Sequence, residues 1–370
     1  MKIFPNSTLG PQPGILQLMT PNFLTLDENL MKPTTFLLSV LALFASVVPM
    51  AAKTTNILFL AGARSHASGD HEFRAGCMLL AKALNEQSGL DLKATVISGW
   101  PKDEKVFNGV DAVIIYADGT SVVRNGWEKT DQLAKAGVGL MFMHYAVHPS
   151  PEEGEKYFRP WIGGAFETGF SVNPHWVADL EALKGHPVSN GVQGKPTALD
   201  EFYYNMRFPK DRSKVLDLVT ANPSRERIKR IINLWTKEGY EGIGKKQTLM
   251  WGIERPDGGR GIGFTGGHYH RNWAIDGFRQ IVLNAIVWVA GMEVPASGVK
   301  SLAVTEDGIN VNLDDYGKPN PRIKLPTAEE VLALPPNPWF TVEEHAEARR
   351  KQIEARKKAR QKAAQKNKKK

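Results

Sequence analysis

The chain has 370 residues, 42% of them apolar, with 47 Lys and Arg against 39 Asp and Glu for a formal charge of +8. That is enough apolar material for one large or two ordinary domains, while a single cysteine, unperiodic glycines and moderate charge exclude a disulfide scaffold, a collagen repeat and global disorder. The charge is uneven: residues 346–370 hold 12 Lys and Arg against Glu347 and Glu354, a net +10, so the rest of the chain sums to −2.

In chain order, the first feature is Phe36–Val48 (FLLSVLALFASVV), 13 residues between Met31-Lys32 and Pro-Met-Ala-Ala. A short positive start, a short apolar run and a small-residue exit describe a secretory signal peptide; spanning a bilayer takes about 20 residues. Residues 1–52 therefore read as an upstream extension and signal segment, with translation starting at Met31, and the protein as exported, periplasmic or secreted. A buried core helix and a retained, envelope-associated anchor are competing readings of the same run.

Residues 53–298 alternate apolar runs with helical patterns. Strands are expected at Asn56–Gly62, Leu92–Ser98, Ala112–Tyr116 and Val138–Met143, and helices at Glu72–Gln87, Trp127–Ala136 and Ile275–Ala290. Cys77 shares a helical face with Phe73, Leu80 and Leu84 and reads as a buried apolar residue. Val215–Thr220, Thr248–Ile253 and Gly261–Thr265 are further strands, some of them antiparallel. The fold class is α/β, a mostly parallel sheet with helices on both faces. Gly258–Gly263 precedes a strand and so reads as a β-turn, not a phosphate loop. Residues 299–340 are Pro-rich and either wrap the domain or trail from it. Residues 341–370 begin with the capping box Thr341/Glu344 and form a basic helical tail without aromatic residues. Such a tail contacts anionic surfaces through charge alone and gives no specific nucleic-acid recognition.

In parallel sheets ligands bind beyond the carboxyl ends of the strands. Six of the nine histidines, His66, His71, His144, His148, His268 and His270, fall just past an expected strand end. Asn173-Pro174-His175 and Asp200-Glu201-Phe202-Tyr203-Tyr204 add further polar groups. Histidine with carboxylate either ligates a divalent transition metal or supplies an acid and a base near neutrality. No contiguous metal motif decides between these. The turn at Met143-His144-Tyr145 is similar to a nucleophile elbow without Cys or Ser, which argues against acyl transfer through a thioester. For Trp161, Trp176 and Trp273, core packing outweighs stacking on sugar rings.

Several segments together resemble the trehalose-utilisation (ThuA-like) family of the class I glutamine-amidotransferase-like superfamily. They are ILFLAGARSHASGDHEF (57–73), GVGLMFMHYAVH (137–148), WIGGAFE (161–167), SVNPHWVADL (171–180), HPVSNGV (186–192), DEFYYNMRF (200–208), ERPDGGRGIGFTGGHYHRNW (254–273) and LNAIVWVAGMEVP (283–295). The resemblance implies a three-layer α/β/α flavodoxin-like fold lacking the amidotransferase cysteine, hence not a glutamine amidotransferase. It also implies a role in disaccharide catabolism, with a small-molecule carbohydrate as partner. The expected activity is a hydrolase or isomerase of oxidised, 3-keto glycosides; the rival is a non-catalytic carbohydrate- or envelope-binding protein. Under the resemblance His144, Glu201 and His268 are the catalytic residues. His66, His71, Glu72, His175, Tyr204, His270, Asn272 and Trp273 would line the pocket.

Overall fold

The computed structural model describes residues 53–231, 235–339 and 341–368, so the signal segment and the Met31 start lie outside the described residues. The unit Thr54–Lys370 is organised around one large sheet. Strands β1 (Thr55–Ala61), β2 (Leu92–Ser98), β3 (Ala112–Tyr116) and β4 (Gly139–Met143) are parallel. Every residue of β3 (AVIIY) and β4 (GLMFM) is buried, as strands covered on both faces require.

A second, three-stranded sheet follows in the chain, built from β5 (His175–Asp179), β7 (Thr197–Asp200) and β9 (Ile228–Arg230) in the order β7-β5-β9, all antiparallel. Strands of three to five residues carry too little periodicity for this sheet to be separable in the sequence. The main sheet is completed by β6 (Glu181–Ala182), β8 (Leu216–Ala221), β10 (Gln247–Glu254) and β11 (Arg260–Phe264). Its order is β2-β1-β3-β4-β11-β10-β8-β6; β11 runs parallel to β4, and the last three strands are antiparallel additions. Gly258 and Gly259 lie in the tight connection between β10 and β11, as a hairpin turn.

One face of the sheet packs on α1 (Phe73–Glu86) and, further along the chain, on the helix Asp276–Val289. Phe73, Cys77, Leu80 and Leu84 recur at helical spacing and are fully buried against Phe59, Ile114 and Met141. The other face carries Leu58, Leu60, Val113, Ile115 and Phe142 beneath α2 (Trp127–Lys135) and the helical segment 151–162. The result is a three-layer mixed α/β fold of flavodoxin-like type. At about 25 cal/mol per Å² of buried apolar surface, each such core side chain contributes about 1.5–3 kcal/mol.

Residues 299–339 run over this domain. Leu302 donates its N–H to Gln87 and its carbonyl accepts from Arg279, while Asn337 joins its backbone N–H to the carbonyl of Ile228. With the Asp276–Val289 helix as α3, the last element is α4 (Val342–Lys368), which starts at reciprocal 3.1 Å hydrogen bonds between Thr341 and Glu344.

Candidate functional site

Since β1, β3, β4 and β11 are parallel neighbours, their carboxyl ends open onto one rim. The loops beyond them deliver His66, Asp70 and His71, then Asp118, then His144, then His268. The small sheet supplies Asn173 and His175 at the start of β5, Glu201 and Tyr203 after β7, and Arg230 at the end of β9. All of these except His144 surround a cavity of about 440 Å³.

Local backbone geometry sets the inner residues. Strand β4 ends at Met143, and His144 takes φ 56°, turning the chain into the short helical turn His144–Val147. His71 also sits in the left-handed region, at φ 55°. Such conformations cost of order 1–3 kcal/mol in non-glycine residues and persist where surroundings enforce them. Around His71 the enforcing contacts are backbone hydrogen bonds: His71 N to His268 O at 2.9 Å, and His270 N to Gly69 O at 3.0 Å. These tie the loop after β1 to the loop after β11. The latter is held in turn by Asp200, whose buried carboxylate accepts N–H bonds from Gly267, His268 and Tyr269 at 2.6–3.2 Å. Gly267 has φ 113°, and a Cβ there would lie 3.1 Å from the Tyr116 hydroxyl, so glycine suits this turn.

Glu201 lies at the centre. Its Oε1 accepts from Asn173 Nδ2 at 2.8 Å and stands 3.6 Å from His175 Nε2. Its Oε2 stands 3.2 Å from His268 Nδ1, 3.5 Å from His144 Nε2 and 3.3 Å from the Tyr203 hydroxyl, which donates to it. His144 Nε2 is 2.9 Å from His71 Nε2, while its Nδ1 faces the Thr265 carbonyl at 3.0 Å. A carbonyl only accepts, so that Nδ1 carries the proton and the Nε2 lone pair points inward. Burial holds His144 and His268 at about 3 and His175 at about 2, and it lowers His71 further, with the neighbouring imidazoles acting in the same direction. Burial also raises Glu201, an effect opposed by His144. At neutral pH the floor is thus a set of uncharged imidazoles around the Glu201 carboxyl group, and the close His–Glu approaches are polar contacts, not ion pairs. Such groups accept protons or hold a transition cation.

Of the residues expected at the site, His66, His71, His175, Glu201 and His268 line the cavity, and His144 lies fully buried beneath it. Five are placed elsewhere. The Glu72 carboxylate accepts from the N–H groups of Gly69 and Asp314 and props the loop from behind. Tyr204, bridged to Val172 beyond the end of β7, donates to the Gly239 carbonyl at 2.7 Å. His270, Asn272 and Trp273 belong to the helical turn His270–Ala274, which carries them into the interior: Asn272 donates to the Leu199 carbonyl, and Trp273 packs edge-on to Tyr116 and Phe278. Trp161 and Trp176 are likewise core residues. Asp70, Asn173, Tyr145 and Tyr203, which stand in the polar segments singled out above without an assigned role, and Asp118 and Arg230, which do not, all lie near the cavity floor or on its wall. Tyr203 was reachable from the period of two in an extended segment, since it shares a face with Glu201.

Fold and site together define a doubly wound α/β protein whose polar centre, rich in histidine, sits where the strand order turns. The family model described as ThuA, trehalose utilisation, matches residues 57–289, and the chain belongs to this family. Among solved structures it is similar to a putative ThuA-like protein from Parabacteroides merdae, with 18% identity, 67% of this chain and 97% of that one covered, and TM-score 0.46. A putative ThuA-like protein from Bacteroides uniformis gives 17% identity, coverage of 65% and 92%, and TM-score 0.47. No curated protein matches.

Proposed function

We propose that this protein is a sugar-processing enzyme, a hydrolase or isomerase of oxidised (keto) glycosides, with its reaction centre at His144, Glu201 and His268. The observation that carries the reading is Glu201: one nearly buried carboxylate, approached by three imidazoles, a tyrosine and an asparagine, at the floor of a cavity of about 440 Å³. Above it Asp70, Asp118, Tyr145 and Arg230 provide donors and acceptors suited to the hydroxyls of a sugar. The floor's uncharged imidazoles and the Glu201 carboxyl group face the carbonyl end of a keto sugar, where rearrangement or hydrolysis moves protons. The family's association with trehalose utilisation supports the disaccharide assignment. The Met31–Ala52 sequence supports export.

The test is turnover of 3-keto-disaccharides by the full chain and by the double variant His144→Ala/Glu201→Ala. We expect turnover to be abolished with the circular dichroism spectrum unchanged. Unimpaired turnover removes the site assignment. Tight sugar binding without turnover in the unaltered chain identifies a carbohydrate-binding protein instead.

A further inference from the structure

The four innermost donors make a set of their own. His71, His144, His268 and Glu201 come from four separate loops, yet each offers one nitrogen or oxygen atom that lies within 4.8 Å of the others'. We infer that His71, His144, His268 and Glu201 form a binding site for one divalent first-row transition cation of the zinc class. Ligand atoms on such an ion stand about 2.0–2.2 Å from it, which puts neighbouring ligands about 3.0–3.5 Å apart. The observed separations are 2.9 Å (His71 to His144), 3.2 Å (His268 to Glu201) and 3.5 Å (His144 to Glu201).

A second observation points the same way. His268 Nδ1 is buried and has no hydrogen-bond partner; it lies 3.2 Å from Glu201 Oε2 without the alignment of a hydrogen bond. Leaving such a nitrogen unsatisfied is costly unless something else takes its lone pair. Three of the donors are also oriented from behind, as metal ligands are. Ser65 Oγ meets His71 Nδ1 at 2.8 Å, the Thr265 carbonyl meets His144 Nδ1 at 3.0 Å, and Asn173 holds the other Glu201 oxygen. Three nitrogens and one oxygen favour a transition ion over magnesium or calcium, which take oxygen ligands. His71, His268 and Glu201 face the cavity, so a bound cation has an open side toward a substrate oxygen and would supply a Lewis acid there. The inference deepens the proposed function and rests on it only for the identity of the site; the ligand geometry is independent of the substrate.

The experiment uses the full chain, stripped with chelator, dialysed, and titrated with zinc and separately with magnesium by calorimetry, with elemental analysis of the product. We expect one zinc per chain, a rise in Tm on loading and no response to magnesium. Cobalt loading should give visible absorption that is lost in His144→Ala. His268→Ala and Glu201→Gln should each weaken zinc binding by at least about tenfold, and His148→Ala, outside the set, should not. Absence of zinc and cobalt binding in folded protein overturns the inference, as does undiminished affinity in both His268→Ala and Glu201→Gln. Sugar turnover by metal-free protein removes the catalytic cation and leaves the proposed function standing. Metal binding without sugar turnover does the reverse.

Discussion

Tyr203 and Tyr204 differ by one position, and in an extended segment that sends their side chains to opposite faces. The Tyr203 hydroxyl reaches His144 and Glu201 at 3.1 and 3.3 Å, while the Tyr204 hydroxyl closes a structural hydrogen bond to Gly239. The paired variants should therefore separate. Tyr203→Phe should lower turnover at least about tenfold with little change in urea stability. Tyr204→Phe should cost about 1 kcal/mol and leave turnover intact, as steady-state kinetics and denaturation will show. A reversed pattern would mean that the polar floor does not extend to Tyr203. The same reasoning separates Glu72 from Glu201. Both are buried acids, but Glu72 accepts backbone N–H groups and props a loop, while Glu201 meets His144, His268 and Tyr203, a difference that no sequence motif carries.

At the scale of elements, the loop between β1 and α1 depends on a segment more than 200 residues away. Glu72 joins the N–H groups of Gly69 and Asp314, Arg64 donates to the Asp315 carbonyl, and the Arg64 guanidinium lies 4.5 Å from the Tyr316 ring centre. The Pro-rich extension thus backs the loop that presents His66 and His71. Glu72→Ala should remove about 1–3 kcal/mol of local stability and speed hydrogen exchange at the amides of Gly69, His71 and Asp314, leaving the amides of β3 protected. Uniform acceleration across the sheet would instead indicate global destabilisation. The small antiparallel sheet has a comparable role for Glu201: β7 places Asp200 on the loop after β11, and the next residue then projects into the centre.

For the whole molecule, buried histidines link stability to pH. His148 packs on Phe166 with ring centroids 4.2 Å apart, and burial holds it at about 4, below the ordinary 6.5. The unfolded chain takes up that proton first, so its contribution is complete above pH 6.5 and is lost as pH falls toward about 4. Urea unfolding over this window should show declining stability, with a shallower decline in His148→Gln; identical slopes would exclude His148 as a contributor. The basic tail is separable from this behaviour, since Lys351 to Lys358 are exposed. Deleting residues 346–370 changes the formal charge from +8 to −2 and should move Tm by no more than about 2 °C. Cation-exchange retention and adsorption to anionic vesicles should be lost together; adsorption that survives would place the basic surface elsewhere. The apolar runs by themselves determined β1, β3 and β4, the helix faces and the layered α/β class, because burial on two faces demands continuous apolar strands and burial on one demands helical spacing. The grouping of histidines beyond those strands was readable for the same reason. Only the tertiary structure decided which polar residues meet. Glu201 reaches His144, His268 and His71 through a sheet too short to leave a periodic trace, whereas His270, Asn272 and Trp273, beside His268 in the chain, turn into the core. Sequence proximity constrains the backbone, but side-chain convergence depends on contacts between distant loops, and those exist only once the sheet has formed.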